Sequence, residues 1–344
     1  MNDIELLQRM VSIPSLSGQE EELAGFLVRA MAARGFCAHI DEAGNAVGEL
    51  GEGPEEILLL GHMDTVPGQI PVQVVDGRLY GRGAVDAKGP LAAFIAAATR
   101  VGPRAGRRIV VVGAVEEEAT TSKGARHLVA TRRPAMVIVG EPSGWERITL
   151  GYKGRLLIEY RLEQPAGHTA GPTRGVCEGA VEFWQAVRDY AEGYNRGRER
   201  RFETLDPSLR RIASGGDGLR EWAEVTVALR IPPGLSPAEV QRTIEGWRLP
   251  AEPCFRGAEE PYRAEKNTPV VAALLSGIRA AGGRPAFSLK TGTSDMNVVG
   301  PAWGCPIAAY GPGDSTLDHT PEEHIELAEY EKAIEVLVGA LQAL

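Results

Sequence analysis

The sequence predicts an α/β protein, a central, largely parallel sheet with helices, interrupted by an inserted α+β domain. Three observations predict it. Short apolar runs that read as buried strands alternate with helical patterns as far as residue 140, the order expected of βαβ units. Near residue 147 that texture gives way to period-two alternation at Leu156, Ile158 and Tyr160, with helices and strands in no βαβ order. A helical pattern resumes over 268–281, as if the first domain were finishing. These changes put residues 1–151 and 261–344 in one discontinuous domain and 152–260 in the insertion.

Taken in order, residues 4–11 read as a short helix. Ser17 and Glu20 make a capping-box pattern ahead of Leu23, Phe26, Leu27, Ala30 and Met31 at helical spacing, and Gly35 stops that helix. Short strands are expected near 36–40 and 45–50, then a core strand over 56–61. Asp76-Gly77 is a tight-turn signal. A buried helix starts near Pro90, strand 108–115 runs into three glutamates, and helix 122–132 precedes strand 135–140. One or two amphipathic strands from 147 lead into the insertion and to a helix over 176–192. An Arg-rich polar stretch over 195–217, a strand over 222–230 and a helix over 236–247 complete it.

Composition narrows the partners. At 344 residues the chain is long enough for two domains, and 43% hydrophobic with 24% charged residues is ordinary for a globular protein. A net charge of −9 argues against nucleic acid as a partner. Cys37, Cys177, Cys254 and Cys305 show no paired spacing, which predicts buried free thiols in a reducing compartment. The first ten residues carry acids and no long apolar run, and no stretch reaches bilayer-spanning length. The expected location is the cytoplasm, with no membrane partner.

The chemistry gathers where apolar strands end. The run 57–60 stops at Gly61, and His62 and Asp64 follow one residue apart. In an extended chain those two side chains share one side, which suits a metal-ligating histidine whose second ring nitrogen is held by an acceptor. Alone, such a pair is more often a loop hydrogen bond. Asp86 sits in a Gly-rich turn before a helix, Glu116, Glu117 and Glu118 follow strand 108–115, and Glu141 follows strand 135–140. Ligands of open α/β sheets gather at the carboxyl ends of strands. Carboxylates converging there repel one another unless a cation lies between them. Mixed nitrogen and oxygen donors suit zinc, cobalt or manganese.

GHMDTVPG (61–68), GRGAVDAKG (81–89), the glutamate cluster, GEPSG (140–144) and HTPEEH (319–324) resemble, in order, the five metal-site motifs of the M20 di-zinc peptidases and deacylases. The resemblance spans nearly the whole chain. It implies a zinc-exopeptidase-like catalytic domain and a lid or dimerisation role for the insertion. It implies two Zn2+ per subunit, with Co2+ able to replace them, bridged by Asp86. His62 and Glu141 would complete one ion, and Glu118 and His319 the other. Asp64 would orient His62, and a cis peptide would follow Asp86. Glu117 would be the general base, although a register with Glu116 as base and Glu117 as ligand is also open. His168, in GHTAGP, matches the family's lid histidine, which reaches the active site of a second subunit and stabilises the oxyanion. That role requires a homodimer, and a turn histidine is its alternative. His39, His127 and His324 match nothing catalytic.

Within the family, KTGTSDMN (290–297) and GEPSGWERITLGYKG (140–154) resemble the branch that releases lysine or ornithine from the C-terminal glutamate γ-carboxyl of a small acidic amino-group carrier protein, LysW. The pathway implied is aminoadipate-type lysine biosynthesis, sometimes shared with arginine. Gly292, Thr293, Ser294 and Arg230 would help hold the substrate carboxylate, with a lid salt bridge as the alternative for Arg230. The arginines of 196–211 would steer the acidic carrier, or else form a solvated surface. The other readings are a deacylase of N-acetyl-ornithine or N-acetyl-lysine, a carboxypeptidase or dipeptidase, and a catalytically inactive metal-binding protein.

Overall fold

The apolar run at 57–60 forms the end of strand Glu52–His62, which lies inside the main sheet between Ala105–Ala114 and Met136–Gly140. The structure, a computed structural model, describes residues 1–168, 170, 171 and 174–344. The chain divides into one unit of Met1–Gly151, Arg263–Leu289 and Ser294–Leu344 and a second of Tyr152–Tyr262 with Lys290–Thr293.

In the first unit, Glu52–His62 runs parallel to both neighbours, and Ile307–Ala309 runs parallel to Met136–Gly140. Antiparallel strands Ala46–Leu50 and Arg147–Tyr152 flank this parallel centre. The expected α/β class with a largely parallel central sheet is therefore what the chain adopts. Register decides where the polar strand ends fall. Gly61 pairs with Gly113 on one side and Gly140 on the other. His62, the 115–118 turn and Glu141 consequently leave the sheet at one level.

Helix Lys88–Val101 has no polar face over Leu91–Ala98, where every residue is at most 1% exposed. Such a helix needs cover on all sides, and the sheet, helix Asp3–Ser12 and helix Leu327–Ala343 supply it. Its close approach to the sheet depends on strand-end glycines, since a Cβ on Gly140 would lie 2.7 Å from the Phe94 ring. Helix Pro269–Ala280 packs on Leu327–Ala343 in the same manner, with the position of a Gly277 Cβ only 2.5 Å from the Val336 carbonyl oxygen.

The second unit is a four-stranded antiparallel sheet in the order Asp206–Gly216, Arg220–Ile231, Gly154–Pro165, Cys254–Glu259. Leu156, Ile158 and Tyr160 are buried, and Phe183 and Val187 of helix Val176–Asn195 join them in one core. Among the described residues of the chain, no helix is long and apolar enough to cross a membrane.

Three expectations need correction. The polar stretch 195–217 contains strand Asp206–Gly216, an edge strand whose hydrogen-bonding register comes from its partner rather than from its own apolar pattern. The cysteines are free but not buried. Cys37 and Cys254 lie on outermost strands and Cys177 on an exposed helix position, while Cys305 is half-buried. Ser17 and Glu20 do not form a capping box, because helix Glu21–Ala32 has no side-chain cap and both residues bond elsewhere. The backbone proximity at Gly277 makes a specific prediction. Gly277→Ala should destabilise the protein by about 1–3 kcal/mol through overpacking, read as a lowered urea midpoint at unchanged slope.

Candidate metal centre

Asp86 is the geometric middle of the site. It follows Gly81 and Gly83, both at positive φ, and its peptide to Ala87 is cis. One carboxylate oxygen lies 3.2 Å from His62 Nε2 and the other 3.1 Å from His319 Nε2. Glu118 Oε1 lies 2.8 Å from His319 Nε2, and Glu117 Oε2 lies 3.9 Å from His62 Nε2. The ligand atoms of Asp86, Glu118 and His319 converge closely enough to hold one ion, and those of His62, Glu117 and Glu118 form a second such group. Glu141, buried at the end of strand Met136–Gly140, acts on Glu117 through its charge.

Asp64 is fully buried beneath these groups. Its Oδ1 accepts the Glu117 backbone N–H at 3.1 Å, and its Oδ2 accepts the Glu118 N–H at 3.0 Å and the Ser17 hydroxyl at 2.7 Å. His62 Nδ1 lies 3.1 Å from the Asp64 carbonyl oxygen and 3.4 Å from Oδ1. A proton held on Nδ1 by these acceptors leaves Nε2 free to ligate.

The three consecutive glutamates part company here. Glu116 adopts φ 57°, donates its N–H to Glu20 Oε1 at 3.1 Å, and turns its carboxylate to the Thr121 hydroxyl and Lys123. Glu117 and Glu118 face the histidines. Ser17 and Glu20, read from the sequence as a helix cap, instead brace Asp64 and the 116–118 turn.

The electrostatics of the cluster favour added positive charge. Burial alone would lower the His62 pKa, but Glu117, Asp64 and Asp86 push it well above the usual histidine range. Hydrogen bonds to Asp86 and Glu118 push His319 up to about 10. Burial drives Glu117 well above the usual carboxylate range and raises Glu118. Burial also opposes the Asp86 charge, yet bonds from His319 and His62 hold that group below its ordinary value. The carboxylates thus demand positive charge between them, and protonated imidazoles supply it only by losing their lone pairs. Divalent cations meet the same demand while using neutral imidazole as ligand, so the donor set fits a pair of them.

The remaining candidates fall in several places. His168, in the second unit, is exposed, and its Nδ1 accepts the Ala170 N–H at 3.1 Å. Thr169 and Pro172 of its motif lie outside the described residues. Arg230 Nη1 donates to Thr293 Oγ1 at 3.1 Å within that unit. Ser294, in the first unit, caps helix Asp295–Trp303 with its hydroxyl. Gly292 has no neighbour within 4 Å of where a Cβ would stand, so no close approach requires glycine there. Sequence reading missed Ser17, Glu20 and Lys88. Lys88 is 1% exposed, donates Nζ to the Ile13 carbonyl at 2.8 Å, and is lowered by burial to about 7. Its place in GRGAVDAKG was the one available signal.

Removing the Ser17 hydroxyl tests the brace. Ser17→Ala should cost about 2 kcal/mol of unfolding free energy, the scale of a hydrogen bond to a charged group, by urea titration. An unchanged midpoint would mean that the hydroxyl does not support Asp64.

A family model described as peptidase family M20/M25/M40 matches residues 58–343. The chain is 50% identical to the [LysW]-lysine hydrolase of Deinococcus radiodurans, over 99% of this chain and 96% of that one. It is 30% identical to the [LysW]-lysine/[LysW]-ornithine hydrolase of Sulfurisphaera tokodaii, over 99% and 95%. Its fold matches an M20 family metallo-carboxypeptidase of Sulfolobus solfataricus with TM-score 0.80 at 19% identity, covering 99% of both chains. A Bacillus subtilis protein described as a dinuclear metal-binding peptidase of that family matches with TM-score 0.71 at 14% identity, over 99% and 97%. The chain belongs to peptidase family M20/M25/M40.

Proposed function

We propose that the protein is a metal-dependent amide hydrolase that releases lysine, and also ornithine where it is offered, from the C-terminal γ-glutamyl group of the carrier protein LysW. The observation that carries this reading is the 50% identity, over 99% of the chain, to a protein named [LysW]-lysine hydrolase. A reaction of this kind serves lysine biosynthesis, and arginine biosynthesis where ornithine is the amino acid released.

His62, Asp86, Glu118, Glu141 and His319 would hold two divalent ions, for which zinc or cobalt suits the mixed imidazole and carboxylate donors. The two oxygens of Asp86 are each turned to a different histidine, so it would serve both donor sets. When bound, such ions polarise the scissile carbonyl and acidify water. Glu117 acts as general base, taking the proton of the attacking water and delivering it to the leaving amine. Its separation from Glu116, which is tied to Thr121 and Lys123, supports 117 and 118 as the base and ligand pair. Asp64 holds the His62 tautomer and, through two backbone N–H groups, the position of that pair. Arg230, beside Thr293, takes the substrate carboxylate, with Gly292 and Ser294 on the same segment.

His168 supplies an oxyanion donor to the site of a second copy in a homodimer, with residues 152–260 serving as lid and dimerisation domain. The bond from Ala170 to Nδ1 leaves the ring proton on Nε2, the state a donor needs.

Turnover decides among the readings. The metal-loaded protein should release free lysine from γ-glutamyl-linked carrier far faster than from N-acetyl-lysine or N-acetyl-ornithine. Equal turnover of the acetylated amino acids would make it a small-molecule deacylase, and inactivity on all of them would leave only a metal-binding role. Glu117→Gln should bind metal with wild-type stoichiometry yet lose roughly 100- to 10,000-fold in kcat. His168→Ala should lower kcat with little change in metal content, and sedimentation should give a dimer.

A further inference from the structure

Glu323 is charged, 1% exposed and absent from the chemistry above. Its Oε1 accepts the backbone N–H groups of Val85 at 3.0 Å and Asp86 at 3.2 Å, and its Oε2 accepts Arg82 Nη1 at 2.7 Å. Arg82 in turn donates Nε to the Gly68 carbonyl at 3.0 Å, and the Gly81 N–H donates to the Glu323 carbonyl at 3.3 Å. One buried carboxylate thus ties together three segments, one of them through Arg82. These are the 64–68 loop after His62, the 81–86 loop that carries Asp86, and the 319–323 segment that carries His319.

From this geometry we propose that Glu323 is a positioning residue that sets the Asp86 carboxylate between His62 and His319 and so sets the affinity of the centre for metal. The physical reason is the shape of the demand on Asp86. Both of its oxygens are committed to imidazoles, so the side chain cannot secure its own backbone. The Val85 and Asp86 N–H groups therefore need another acceptor. A carboxylate gives both of them one oxygen and keeps the other for Arg82, which cancels its buried charge. A neutral acceptor would hold the loop less tightly. No acceptor would release Asp86 from the midpoint of its two histidines. Glu326, three residues on, provides the contrast: its half-exposed carboxylate pairs with Arg78 Nε at 2.6 Å.

The proposal rests on the metal-centre reading, and cobalt binding separates the two. Metal-stripped full-length wild type, Glu323→Ala, Glu323→Gln and Glu326→Gln would be titrated with cobalt(II) chloride. Visible absorption would follow the ligand field, and chelator competition would give dissociation constants. Glu323→Ala should bind cobalt about 10- to 100-fold more weakly, the scale for groups that orient ligands, with an altered spectrum. Glu323→Gln should recover part of the loss, and Glu326→Gln should match wild type. A Glu323→Ala protein with wild-type affinity and spectrum would overturn the proposal, even if its unfolding midpoint fell. If that variant does not fold, Glu323→Gln indistinguishable from Glu326→Gln would overturn it equally. Failure of wild type to bind cobalt would overturn the metal centre itself and this proposal with it.

Discussion

Each oxygen of the Asp86 carboxylate faces a different imidazole, His62 at 3.2 Å and His319 at 3.1 Å, and the surrounding structure is arranged to sustain that sharing. A carboxylate held in this way, with Glu117 and Glu118 beside it, concentrates more negative charge than two neutral histidines can balance. The raised pKa values of both histidines register the imbalance from their side. Such a cluster persists only if its members are held by bonds that do not depend on their mutual attraction. Asp64 takes two backbone N–H groups of the glutamate turn, Glu20 takes a third, and Glu323 takes two from the Asp86 loop. In each case a buried acid takes backbone N–H groups of a turn or loop that carries the clustered carboxylates, and those carboxylates keep oxygens turned to the histidines.

The sheet sets where these loops begin. Because Gly113, Gly61 and Gly140 lie in register, three parallel strands release their polar residues on one line. The same glycines leave room for helix Lys88–Val101, whose side chains Leu91 and Phe94 press on the strand ends. Packing and chemistry are coupled there. The helix that fills the core begins two residues after Asp86, so its seat on the sheet also fixes the end of the loop that carries the shared carboxylate.

The second unit is built on a different physical basis. Its antiparallel sheet buries one face under a helix and presents the other outward, which gives the plain alternation of strand Gly154–Pro165. Arg230 sits in an inner strand of this sheet, half-buried and bonded to Thr293. The arginines of 196–211 are exposed and lie around an edge strand. Two of them have local acidic partners, Arg200 with Glu203 and Arg211 with Glu224.

The α/β class was legible because it depends on local periodicity: continuous apolar runs for strands buried on both faces, and period two where one face is wet. The histidine and carboxylates at strand ends were legible for a related reason, since each sits next in sequence to the apolar run that ends in it. His62 after Leu60 and Gly61, and Glu141 after Gly140, need no tertiary knowledge to be noticed. The pair Ser17 and Glu20 shows where local reading fails. Their spacing is that of a helix cap, but Asp64 and the Glu116 N–H, 47 and 96 residues away, are the partners they take. Which of three consecutive glutamates faces the histidines was undetermined by residue type, and a positive φ at Glu116 decided it. Glu323 lay inside a motif whose histidine drew the attention, and only its burial against the Asp86 loop, 237 residues away, marks it. The sequence by itself determined the fold class and the residues that end each strand, because neighbours in the chain encode both. The tertiary structure alone decided which of those residues share a centre and which acids brace it, because such contacts are made between segments that only the folded sheet brings together.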